Sequence, residues 1–190
     1  MHICKDLAVE PYPTTIPVTS ASADGVDVAT VGGAGVVDAL MSLSRVLVAL
    51  TARSLGRLGA DVTLSQYRML VLLASRGPQR SVDLAGELGV QPSTVSRNAD
   101  RLVKKGLVRR CQRAGGDRRV VWVLLTEHGQ NLVGDVMRLR RDGIAHLVAS
   151  AEIPDPAAMA AGLINIVTAA GETPDPQWWD LWASSTQFDQ

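Results

Sequence analysis

Cysteine is scarce in this chain, with Cys4 and Cys111 the only two among 190 residues. Two thiols in such different segments make no disulfide framework. Histidine is equally thin: His2, His128 and His146 are scattered, and no Cys/His pair shows the spacing of a metal site. Neither a metal nor a cofactor is therefore expected. Aromatic residues make up 4% of the sequence, which suits a helical core built from Leu, Val and Ala. No contiguous apolar run reaches about 18 residues, so no membrane-spanning helix and no membrane partner are expected. The N-terminus lacks the charged-then-apolar order of a secretory signal, which leaves the cytoplasm as the expected compartment. Also missing are a Gly-rich phosphate loop, a nucleophile–base constellation and a carboxylate pair, so an enzyme is not expected.

Net charge is absent too, with 19 basic against 19 acidic residues, but the balance is not local. Nine of the cations (Arg97, Arg101, Lys104, Lys105, Arg109, Arg110, Arg113, Arg118 and Arg119) lie between Gln91 and Arg119, against two acids, Asp100 and Asp117. Positive charge gathered in one segment and in deficit elsewhere is the footprint of a module that docks on a phosphate backbone.

The pattern within that segment is helix, tight turn, helix and ribbon. Ser81 suits an N-cap and Asp83 the positive helix end. Val82, Leu84, Ala85 and Leu88 supply an inward stripe, and Gly89 suits the left-handed position after the helix. Pro92 fits the first turn of a second helix, where a missing N–H costs nothing. Along it Val95, Ala99, Leu102 and Val103 face the core. Ser93, Arg97, Asp100, Arg101 and Lys104 fall on the opposite side, Thr94 and Ser96 lie at its margins, and Gly106 ends the helix. Two β-branched-rich runs, 108–112 and 120–125, flank the turn from Arg113 to Arg119, whose glycines permit a tight bend. Trp122 lies away from the basic tip and reads as a packing residue. The predicted fold is mainly α (α+β): a winged helix-turn-helix with a two-stranded wing.

With these residues in order, the chain resembles the MarR family of transcriptional regulators. The resemblance rests on Thr63-Leu64-Ser65-Gln66-Tyr67-Arg68-Met69-Leu70, Asp83-Leu84-Ala85, Pro92-Ser93-Thr94-Val95-Ser96-Arg97 and Leu102-Val103-Lys104-Lys105-Gly106-Leu107-Val108. It continues in the wing's Asp117-Arg118-Arg119 and the exit Leu125-Thr126-Glu127-His128-Gly129. It implies a homodimer on a pseudo-palindromic double-stranded DNA operator, commonly released by a small-molecule effector held between the dimer helices and the winged lobe. It puts Ser93, Thr94, Ser96 and Arg97 against base edges. Arg97 is the candidate for a guanine because its planar fork can match two acceptors. Arg101, Lys104 and Lys105 are the phosphate candidates. In the wing the resemblance implies that Arg119 reaches the minor groove or its phosphates while Asp117 braces the tip, with Arg113 and Arg118 beside them.

The expected organisation is an arm without regular structure over 1–34, a MarR-like domain over 35–171 and a Trp-rich tail over 172–190. Within the domain, 63–126 form the DNA-binding lobe, and 35–60 and 127–171 are dimerisation helices. The outer helices are more apolar than a lobe of this size needs for itself. Arg45, Arg53, Tyr67 and Arg68 are the polar residues available to an effector, and each fits surface ion pairing equally well. Two other readings stay open on the residues alone. One is a winged-helix interaction module without specific DNA binding. The other is a thiol-based redox-sensing regulator using Cys111, whose neighbours Arg109 and Arg110 favour a thiolate, although a buried, inert strand cysteine is the plainer reading of that position.

Overall fold

The computed structural model describes residues 2–4, 33–113 and 121–172. Ten elements follow one another: β1 (His2–Cys4), α1 (Gly33–Arg57), α2 (Leu64–Arg76), β2 (Gln79–Arg80), α3 (Ser81–Leu88), α4 (Pro92–Lys104), β3 (Val108–Arg113), β4 (Trp122–Leu125), α5 (Glu127–Ser150) and α6 (Pro156–Ala169).

Helix starts and stops follow local chemistry. At α2, Thr63 Oγ1 accepts from the Gln66 N–H and Gln66 Oε1 accepts from the Thr63 N–H, both at 3.2 Å. This is a capping box, in which each side chain satisfies a backbone donor the helix leaves free. Thr63→Ala is expected to lower stability by about 1 kcal/mol without changing the fold, measured as a shifted denaturant midpoint at constant slope. Gly89 closes α3 in the left-handed region at φ 63°, and Pro92 opens α4. Ser81 is already helical, so the cap position falls to Arg80, whose guanidinium donates to both Asp83 carboxylate oxygens at 2.6 and 2.7 Å. That pairing raises the Arg80 pKa further, chiefly through the hydrogen bond.

The sheet is wider than the expected ribbon. Strands β3 and β4 form the antiparallel wing, with Val108 opposite Leu125 and Cys111 opposite Trp122. Strand β2 pairs antiparallel with β4, and β1 pairs parallel with β3, giving the order β1-β3-β4-β2. Strand β1 lies in the segment expected to lack regular structure. It occupies an otherwise open edge of β3, whose backbone groups can pair with any extended segment. The other residues of that segment before Gly33, and residues 173–190 of the tail, lie outside the described residues.

Fully buried Met69, Leu70, Leu84, Val95, Leu102, Val108, Val123, Val133 and Val136 join α2 to α5 and the wing into one core. Two residues expected in it are outside. Val82 is 69% exposed and Val103 41%. At ~100° per residue Val82 stands about 160° from Leu84, and Val103 about 80° from Val95, so both leave the buried stripe. Asn98 takes the other margin of the α4 stripe, buried, with its amide donating to Ser65 Oγ at 3.4 Å.

Helix α1 packs along α5, where Leu50 lies against Gly143. Over an 18-residue stretch its mean hydropathy reaches 1.6, so it is long and apolar enough to cross a bilayer, although charged residues break every contiguous apolar run. Helix α6 has no buried residue at all.

Candidate nucleic-acid interface

Helix α4 is the centre of the basic segment, and its burial pattern divides it lengthwise. Val95, Asn98, Ala99 and Leu102 are buried, which anchors one face in the lobe. Ser93, Ser96, Arg97, Asp100, Arg101 and Lys104 are exposed, and Thr94 is half-buried. Three cations, two serines and one threonine thus share an outward face with a single acid. Among the described residues no ion pair engages Arg97, Arg101 or Lys104. Their charge is available to something outside the chain.

Lys105 is differently placed. Its Nζ pairs with Asp61 Oδ2 at 3.0 Å and also donates to the Asp61 backbone carbonyl. It therefore ties the end of α4 to the loop between α1 and α2 instead of standing free like Lys104. Arg110, on β3, turns toward α4. Its Nη1 donates to Asp100 Oδ1 at 2.6 Å and its Nη2 to the Ser96 carbonyl at 3.0 Å. Neither attachment was foreseen, because the partners are distant in sequence. The charge of Asp100 amid cations was the available signal.

Of the wing residues, Arg113 ends β3. Its side chain, and Asp117, Arg118 and Arg119, lie outside the described residues. Cys111 is 0% exposed within the sheet, a position that keeps its thiol from solvent oxidants.

The residues considered for an effector do not form one cluster. Arg45 and Arg53 line an open groove of about 460 Å³ between α1 and α5, with Ser42, Val46, Ala49, Leu50 and Leu147. Arg68 is exposed on α2. Tyr67 is buried beside α5 with its hydroxyl close to the Arg140 guanidinium, though outside good hydrogen-bond geometry. Burial pushes its pKa up, and the Arg140 charge partly offsets that rise. The phenol is therefore protonated at neutral pH. Among the described residues no cluster of His, Cys, Asp and Glu is arranged to hold a metal ion.

A sequence profile described as the MarR family matches residues 62–121, from the capping box of α2 to the wing. The uncharacterized HTH-type transcriptional regulator YhbI of Bacillus subtilis is 34% identical over 73 residues, 38% of this chain. That match spans about half (47%) of the length of YhbI. The crystal structure of RV1404 from Mycobacterium tuberculosis is similar over more: 35% identity, 74% of this chain, 95% of that one, and a TM-score of 0.68. FabT of Streptococcus pneumoniae, solved in complex with DNA, shares the fold at 22% identity and a TM-score of 0.59, covering 72% of this chain and 96% of its own. A mainly helical chain with a winged helix-turn-helix, matched by the profile over that lobe and aligned with nearly all of RV1404, belongs to the MarR family of transcriptional regulators.

Proposed function

We propose that this protein is a homodimeric, sequence-specific DNA-binding repressor whose grip on a pseudo-palindromic operator is released by a small ligand. The observation that carries the reading is the outward face of α4, where Arg97, Arg101 and Lys104 stand opposite the buried stripe with no ion pair among the described residues. Ser93, Thr94, Ser96 and Arg97 lie toward the N-terminal part of that face and are assigned to base edges. Arg101 and Lys104 are assigned to phosphates, which set affinity and its salt dependence. Lys105, tied to Asp61, keeps its assignment to phosphate beside them. In the wing, Arg119 keeps the assignment to the minor groove or its phosphates that the resemblance implies, with Asp117 bracing the tip and Arg113 and Arg118 beside them. FabT, whose fold this chain shares, was solved with DNA, and that agrees with the reading. The ligand is assigned as a small anion, because Arg45 and Arg53 bring positive charge to an otherwise mostly apolar groove.

Selection from a random duplex library with the full chain at about physiological salt tests the reading. The expected result is an enriched palindrome with half-sites about one helical turn, ~34 Å, apart. Arg97→Ala is then expected to relax preference at one or two base positions, by roughly 5- to 150-fold for a lost bidentate contact. An equal loss on all sequences would make Arg97 a phosphate contact. No enriched motif, with weak binding that salt abolishes, would leave only non-specific attraction and sink the proposal.

A further inference from the structure

We infer that Arg110 is a positioning residue for sequence reading, a wing-strand arginine that fixes how Ser96 presents its hydroxyl on α4. The inference rests on the reading of α4 as the helix that meets base edges. Ser96 and Asp100 are one helical turn apart and share a side of α4. One guanidinium spans them: Nη1 donates to Asp100 Oδ1 at 2.6 Å, and Nη2 donates to the Ser96 carbonyl at 3.0 Å and to Ser96 Oγ at 3.4 Å. The side chain holds this position although its Nε is buried with no partner among the described residues. An unmade buried hydrogen bond is costly, so the contacts at the fork outweigh it.

Two consequences follow from the chemistry of the groups. Arginine carries five donors and no acceptor, whereas a serine hydroxyl has one hydrogen and two lone pairs. Arg110 therefore occupies a lone pair of Ser96 and leaves the hydroxyl hydrogen for the outward side, where no described group takes it. Ser96 is set to meet an acceptor: a purine N7, guanine O6 or thymine O4. Its remaining lone pair can still accept from the amino group of cytosine or adenine, so Arg110 fixes the direction of the hydroxyl and not one base. The second consequence concerns Asp100, an acid on a face that must approach phosphates. Its pairing with Arg110 removes the repulsion it would exert there. With both terminal nitrogens of Arg110 engaged inside the chain, Arg110 is expected to act through α4 and not as a phosphate contact, which the salt slope tests.

The test repeats the random-duplex selection with the full chain carrying Ser96→Ala, Arg110→Ala or Arg110→Lys, alongside salt titrations. Ser96→Ala and Arg110→Ala are expected to lose the same base preference, by about tenfold at one position per half-site. The position affected should be the same in both variants, and the slope of log affinity against log salt should not change. Arg110→Lys keeps the charge beside Asp100 but not the two-pronged fork. It should recover overall affinity without the base preference, and it carries the test if Arg110→Ala melts. Unchanged base preference in both Arg110 variants would overturn the inference. So would a loss on every sequence with a salt slope shallower by about 0.9, since that marks a lost phosphate contact. If the wild-type chain enriches no motif at all, the reading of α4 falls first and this inference with it. If it enriches one that the Arg110 variants retain, only the role of Arg110 is lost.

Discussion

Gly129→Ala is expected to be among the most destabilising single-methyl additions in this chain, costing about 3 kcal/mol or more. A Cβ at Gly129 would lie 2.0 Å from the Leu107 carbonyl oxygen and 3.0 Å from the Leu107 carbonyl carbon and Leu125 Cδ2. Two of those three atoms are backbone, so no rotamer change relieves the clash. The carbonyl is also held in place. Thr126 N–H donates to Leu107 O at 3.1 Å, Thr126 Oγ1 donates to Gly106 O at 2.5 Å, and Gly129 N–H donates back to Thr126 Oγ1 at 3.1 Å. Helix α5 thus begins clamped onto the turn between α4 and β3, and an added methyl must push it away from that turn. Overpacking against fixed backbone sits at the upper end of single-substitution costs. For a chain of this size it corresponds to a melting temperature lower by roughly 6–12 °C. Gly86→Ala is the control. Its Cβ would meet nothing within 4 Å on an exposed face of α3, so it should leave stability unchanged or raise it by about 0.4–1 kcal/mol. Equal melting of the two variants would show that α5 can shift freely and would remove the clamp.

That clamp also shows what kind of information the sequence holds. The run Leu125-Thr126-Glu127-His128-Gly129 was visible as a motif, but its physical content lies in the carbonyls of Gly106 and Leu107, some twenty residues earlier. The opening Thr63-Leu64-Ser65-Gln66 is simpler. Its capping box closes within four residues, so both partners can be read together. Pro92 and Gly89 were legible for the same reason. Periodicity placed the centre of each buried stripe and failed at its margins. Val103, about 80° from Val95, is chemically a core residue in an exposed place, and Asn98 is a polar residue in a buried one. The contacts that orient α4 were out of reach altogether. Lys105 finds Asp61 across 44 positions, and Arg110 finds Ser96 and Asp100 across 14 and 10. Such pairs exist only after the turn between α4 and β3 and the loop between α1 and α2 have brought their elements together. Strand β1 belongs with them, since its pairing with β3 depends on an edge that no local pattern announces.

A charge on the outer helices is expected to cost the protein both its partner and most of its affinity for DNA. Helix α6 buries none of its residues, and Met159, Ile164 and Ile166 are all exposed. On α1, Val37, Met41 and Val48 recur at i, i+4 and i+11, an apolar stripe separate from the Leu40, Leu43, Leu47 and Leu50 face that turns toward α5. Leu147 and Val148 extend the exposed apolar surface onto α5. Apolar residues grouped in this way mark a surface that another protein covers, and a second copy of the same chain is the partner of the proposed function. Ile164, 52% exposed in one protomer, should tolerate aspartate in the isolated fold but not against a second apolar face, where an unpaired carboxylate is strongly disfavoured. Ile164→Asp is therefore expected to sediment as a monomer at micromolar concentration while melting close to the wild type. Its operator affinity should fall by about 10²- to 10⁴-fold, because a monomer engages one half-site and loses the effective concentration that links the two. Val48→Asp should behave in the same way from the other helix. A variant that stays dimeric and binds the operator as tightly as the wild type would place the interface elsewhere. A variant that becomes monomeric yet keeps full affinity would show that one recognition helix and one wing suffice, and the palindromic operator would lose its reason.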